Sequence, residues 1–195
     1  IGANEIKVDK IEVIKDGRIG GDGILRVTGT HADITIIPQA VHLAQNISGT
    51  LVTDYVLHPD VDYIEIVTTL KNDGPPMASV QPADFIAFGG STTPHTLETG
   101  YGAIEMFQSV SFLSAARGDK VSYAVASEDG DVLVPLMEHG ITAPFYGSGL
   151  PVGSERSFVR WFFVGDGSLE STTRTALELK QIPHGTISGT VQSAG

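Results

Sequence analysis

The longest well-patterned run of alternating apolar and polar positions extends from Thr50 to Lys71. Leu51, Tyr55 and Leu57 share one parity against Val52, Asp54 and Val56; further on, Ile64, Ile66 and Leu70 oppose Tyr63, Glu65 and Lys71. A period of two, rich in β-branched and aromatic residues, predicts two long antiparallel strands joined across the corner formed by His58, Pro59, Asp60, Val61 and Asp62. Asn72, Asp73, Gly74, Pro75 and Pro76 end the second strand, because Gly and Asp suit turns and Pro has no N–H for a ladder. Two strands alone are marginal in water, so this hairpin is expected to be the spine of a larger sheet.

The same period recurs on both sides. Ile6, Val8, Ile11 and Val13 alternate with charged residues but slip phase once near Lys10, which fits a β-bulge or a short amphipathic helix. Ile24 to Val27 and Ile34 to Ile37 read as short strands ended by Gly or Pro, and Phe85 to Phe88 is a short apolar run bounded by Asp84 and by Gly89, Gly90 and Ser91. Thr92 to Gly102 has neither period and reads as a long loop. Ile104 to Leu113 and Val121 to Ala126 are expected to pair around a turn at Ala116 to Asp119, and Val121 to Val134 to form a hairpin on Asp129-Gly130. Phe145 to Gly153 reads as irregular and Gly-rich. From Ser157 to Val164 both parities are apolar, the mark of a central strand covered on both faces. A single helix follows, capped by Ser168, with Glu170 at its positive end and a stripe of Leu169, Thr173, Ala176 and Leu177. The pattern is that of an all-β domain with one short C-terminal helix.

Composition agrees. The 195 residues hold 23 Gly and 10 Pro, with 41% hydrophobic and 18% charged residues, which suits a folded, turn-rich chain. A net charge of −11 argues against binding nucleic acid, whose phosphates call for Lys and Arg, and against a polybasic membrane contact. The absence of Cys excludes disulfides, thiol nucleophiles and Cys-ligated zinc. No apolar run reaches the roughly 20 residues that span a bilayer.

Leu51, Thr53, Tyr55, Leu57, Pro59, Asp60, Tyr63, Ile64, Ile66, Thr68, Leu70 and Asn72 resemble the two adjacent strands of the galactose mutarotase-like β-supersandwich. There a T-x-Y-x-L strand turns through a P-D corner into a Y-I-x-I strand ending near an Asn. The resemblance implies an antiparallel supersandwich over residues 1–184. A second one, of Gly185 to Val191 to the first strand of a carboxypeptidase-regulatory-like module, implies that residues 185–195 are a linker or the start of a following domain. Such modules are strung along bacterial surface and secreted proteins. The resemblance therefore implies an extracytoplasmic, multidomain parent whose other domains are this chain's partners.

Mutarotases use a His acid and a Glu base across the sugar ring. The His belongs to an Asn-His-Ser-Tyr-Phe-Asn-Leu type motif soon after the hairpin, and Asn72 to Pro82 contain no His. His95, with Glu98 and Tyr101, is the remaining candidate for a catalytic group, and its competing reading is a solvated loop histidine. His58, Asp60 and Asp62 form either an oxygen-rich calcium cluster or a polar strand corner, the corner being the simpler account. No other metal spacing, nucleophile elbow or phosphate loop occurs, so no cofactor is expected. Sugar binding calls for exposed aromatics flanked by polar groups, and the candidates are Tyr101, Tyr146, Arg160 and Trp161, with core packing the favoured alternative for Trp161. The chain is thus expected to be a non-catalytic binding or structural module with carbohydrate as candidate ligand; the alternative is a sugar-active enzyme, epimerase or lyase-like, built on His95, Glu98 and Tyr101.

Overall fold

The computed structural model describes residues 5–34, 45–74, 83–84, 86–88, 92–102, 107–117, 120–134, 137–138, 141–142, 144–146, 150–185 and 187–190. Its strands are β1 (Glu5–Asp16), β2 (Gly23–Ile34), β3 (Gln45–Leu57), β4 (Tyr63–Asn72), β5 (Ile86–Ala87), β6 (Thr93–Thr96), β7 (Gly100–Tyr101) and β8 (Gln108–Val110). There follow β9 (Phe112–Arg117), β10 (Val121–Ser127), β11 (Val132–Val134), β12 (Met137–Glu138), β13 (Ile141–Thr142), β14 (Phe145–Tyr146), β15 (Glu155–Gly165) and the helix α1 (Leu169–Leu179). Nine strands form one sheet in the order β1-β2-β3-β4-β15-β10-β9-β6-β7, beside two three-stranded sheets, β14-β11-β8 and β12-β13-β5. The chain is an all-β sandwich with one short helix.

The hairpin forms in the expected register, with Leu57 opposite Ile64 and Gly49 opposite Asn72. Strand β15 lies between β4 and β10, and its two apolar faces enter two different cores. Trp161 and Phe163 pack with Phe112, Ala124 and Ala176 under α1. On the opposite face Phe162 joins Phe88, Leu113, Val125, Val134 and Tyr146 against the small sheets. Ser168 caps α1 by accepting a hydrogen bond from the Ser171 N–H. The phase slip of β1 is a bulge at Asp9, since Val8 pairs with Gly29 and Lys10 with Thr28. The extra residue keeps Val8, Ile11 and Val13 on one face of the sheet.

Five expectations are corrected. Val121 to Val134 is not a hairpin: the Asp129-Gly130 turn, with Gly130 at φ 84°, carries the chain out of the large sheet. Both edges of β10 are already taken by β9 and β15, so β11 pairs with β8 and β14 instead. The strand expected over Ile104 to Leu113 is divided, Gln108–Val110 lying in a small sheet and Phe112–Arg117 beside β10. Ala116 and Arg117 are thus strand rather than turn. Thr92 to Gly102 contains the hairpin β6–β7, hidden from pattern reading because Thr and Pro hold its edge positions. Phe145 and Tyr146 are strand as well. Residues 35–37, 75–82, 118–119 and 147–149, on which other expectations fall, lie outside the described residues, as do Thr186 and Val191 of the tail.

Gly49 packs so closely on β4 that a Cβ there would collide with the Lys71 carbonyl oxygen, a backbone atom unable to turn aside. Gly49→Ala is predicted to destabilise the fold by about 1–3 kcal/mol in urea denaturation. An unchanged midpoint would contradict this packing.

Candidate functional site

Residues paired across antiparallel strands share a face, so register alone sorts the polar side chains of the large sheet. One row runs Val13, Leu25, Tyr55, Ile66, Arg160; its neighbour runs Ile11, Val27, Thr53, Thr68, Phe158. Polar residues therefore interrupt an otherwise apolar face at Thr53, Tyr55, Thr68 and Arg160. Arg160 is 7% exposed and donates from Nε and Nη2 to Asp84 at 2.5 and 3.0 Å. Its Nη1 donates to Thr68 Oγ1 at 2.8 Å, and that hydroxyl lies 2.9 Å from Thr53 Oγ1. The guanidinium sits 5.4 Å from the centre of the Tyr146 ring. Asp84 is tied in turn to the strand bearing Tyr146, because its N–H donates to the Pro144 carbonyl at 3.1 Å.

Burial opposes the charge of Arg160, and Asp84 overcomes that opposition, leaving its pKa raised. Burial, then the Asp84 charge, pushes the Tyr146 phenol well above its ordinary value, so it stays neutral. The cluster is a self-satisfied ion pair between layers, and Arg160 is committed to it.

His95 lies elsewhere. It pairs with Ser114, which pairs with Ala124, which pairs with Phe163, and that row faces α1. His95 and Arg160 thus stand on opposite faces of one sheet and cannot address one substrate. Burial lowers the His95 pKa, partly offset by Glu98, so the ring is neutral near pH 7. Glu98 Oε1 accepts from the Ser111 N–H and hydroxyl at 2.8 and 2.9 Å. Tyr101 is 71% exposed, its ring centroid 5.0 Å from that of His95.

Of the four binding candidates, only Tyr101 is exposed. Tyr146 is 1% exposed because β14 packs it into the interlayer core, a correction to its expected place in an irregular loop. Trp161 is buried under α1, as its favoured alternative had it. Arg160 and Trp161, adjacent in sequence, point to opposite faces. His58 does not join Asp60 and Asp62: its Nδ1 lies 2.9 Å from Asp22 and its Nε2 3.6 Å from Glu65. Among the described residues no group of three or more His, Asp or Glu is arranged to hold a metal, and no helix is long and apolar enough to cross a membrane. Pattern reading missed Asp84; the available signal was Thr53 and Thr68, polar residues at core parity that need a partner.

No family model and no curated protein matches the chain. Among solved structures it is similar to the GH36 alpha-galactosidase AgaA of Geobacillus stearothermophilus in complex with stachyose, with a TM-score of 0.53, 10% identity, 92% of this chain and 30% of that one. The alpha-galactosidase of Lactobacillus brevis matches with a TM-score of 0.50 and 10% identity over 92% of this chain and 28% of that one. A putative aldose 1-epimerase of Escherichia coli K12 follows with a TM-score of 0.40 and 5% identity over 80% and 68%, too distant to weigh. The chain spans less than a third of the galactosidase chains, and at these identities the likeness is one of fold. That fold is an all-β sandwich consistent with the galactose mutarotase-like expectation, and its structural neighbours are sugar-related.

The Asp22 hydrogen bond raises the pKa of His58, against burial and with help from the Glu65 charge. A raised folded-state pKa gives stability that is fully present below the unfolded value of about 6.5 and is lost as pH rises through the folded value. The stability gap between wild type and His58→Gln is predicted to shrink steadily from pH 6 to 9 in denaturation series. A gap independent of pH would contradict the His58 pairing.

Proposed function

We propose that the chain is a non-catalytic module of a larger, exported, carbohydrate-related bacterial protein, docked on a neighbouring domain of that protein through the aliphatic face of β1–β3. The observation carrying this reading is a change in the large sheet halfway across. Across β15, β10 and β9 both faces are covered, by α1 and by the small sheets. From β1 to β3 one face is ionic, with Arg26 bidentate on Asp54 at 2.7 and 2.6 Å. The other presents Val8, Ile11, Val13, Leu25 and Leu57, all exposed. Of thirteen exposed large apolar side chains among the described residues, eight fall between Val8 and Val61. Such concentration marks an interaction surface.

A neighbouring domain is favoured over a second copy on two grounds. The galactosidases sharing this fold carry it beside at least twice as much further chain, and a net charge of −11 opposes self-association. The tail's likeness to the first strand of a surface-protein module supports export. Against catalysis stand the lack of a His from Asn72 to Pro82 and the engagement of Glu98 Oε1 by the Ser111 N–H and hydroxyl.

Assayed with galactosides and with free aldoses, the chain is predicted to give no turnover, whereas turnover abolished by His95→Ala or Glu98→Ala would overturn the reading. Ile11→Lys/Val13→Lys is predicted to leave the stability of the isolated chain within about 0.5 kcal/mol while exposing the amides of β1 to faster exchange in the longer parent. Unaltered exchange in the parent would contradict docking at this face.

A further inference from the structure

The hairpin β6–β7 closes the far edge of the large sheet, remote from the aliphatic face, and its turn is held unusually firmly for an edge. Thr96, fully buried, lies 2.9 Å from the Thr99 hydroxyl and accepts the Thr99 N–H at 3.1 Å. The Gly102 N–H donates to the Pro94 carbonyl at 3.1 Å, and the Glu98 carboxylate pins the turn to Ser111 through two donors on one oxygen. Among the described residues, both of these hydrogen bonds fall on Oε1 and none on Oε2. On the same hairpin, Tyr101 is braced by the His95 ring at 5.0 Å between centroids and is 71% exposed. His95 Nδ1 is buried without a hydrogen-bond partner, as is the hydroxyl of Ser114 directly across the ladder. Buried polar atoms left unmatched beside an exposed aromatic point to a ligand or bridging water. A second exposed aromatic, Phe107, stands just before β8 with its backbone in the left-handed region at φ 59°, a conformation costly for a bulky side chain.

We propose that Tyr101 and Glu98, presented by the β6–β7 hairpin, form a binding site for a neutral saccharide. The pyranose ring lies against the exposed Tyr101 ring, and a sugar hydroxyl donates to Glu98 Oε2. An apolar platform with a few fixed polar groups is the usual composition of a small-molecule site. Neutral rather than uronic sugars are selected because Glu98 and a chain charge of −11 repel carboxylates. This site rests on the reading of the chain as a carbohydrate-related module and gives that module its ligand.

Affinity electrophoresis and titration calorimetry with neutral galactan, glucan and mannan, and with polygalacturonate as the acidic control, test it. At least one neutral polymer binds and polygalacturonate does not. Tyr101→Ala weakens binding by at least about tenfold without altering the melting curve. Tyr101→Phe retains binding within about threefold, and Glu98→Gln weakens it several-fold. Binding by none of the neutral polymers, preference for polygalacturonate, or full affinity in Tyr101→Ala overturns the site. Sugar turnover would instead overturn the non-catalytic reading while leaving binding in place, so the two failures are distinct.

Discussion

Taking a guanidinium out of water costs several kcal/mol unless a counter-charge meets it with good geometry. Arg160 is taken out of water at the junction between the large sheet and the small ones, and Asp84 meets it with two hydrogen bonds. Much of the surrounding architecture follows from keeping that pair intact. The backbone of Asp84 is tethered beside β14, Tyr146 stacks over the guanidinium, and Nη1 donates to the Thr68 hydroxyl, itself hydrogen-bonded to that of Thr53. Removing one member leaves a buried charge alone, whereas a merely hydrophobic junction would tolerate a local gap. The pair also commits Arg160 to the fold, which takes up four of its hydrogen bonds.

The same sheet divides the remaining polar groups. His95, Ser114 and the underside of Tyr101 belong to the face that α1 covers further in, while Arg160 and Asp84 belong to the other. The catalytic candidates stay together on the β6–β7 hairpin, where His95 meets the Tyr101 ring and Glu98 is held by Ser111. Two surfaces remain to act: an aliphatic half-face at one edge and a braced tyrosine at the other. Four strands, β4, β15, β10 and β9, separate them in the sheet order, so a module docked by the first keeps the second open.

The sequence made legible whatever depends on a local period. The hairpin of β3 and β4, the two-faced burial of β15, the bulge in β1 and the capped helix all follow from alternation and capping, and all are present. What was illegible depends on which edge is free. Asp129-Gly130 is a sound turn signal, yet the strand after it pairs elsewhere because β10 has no vacant edge. Likewise Tyr146 sits in a Gly-rich stretch whose burial is set by β8 and β11, far from it in sequence. Of the candidate site, the exposure of Tyr101 was readable from its polar surroundings; the partnership of Arg160 with Asp84, 76 residues away, was not.

Arg160 and Asp84 hold the layers of the fold together, and a double-mutant cycle in urea denaturation measures that tie. Asp84→Leu alone is expected to cost about 3–5 kcal/mol, and adding Arg160→Met to recover most of that loss, because the buried charge is then gone. If Asp84→Leu leaves stability unchanged or increases it, as substitutions at strained functional sites often do, the pair is not the structural tie described, and the account fails at its base.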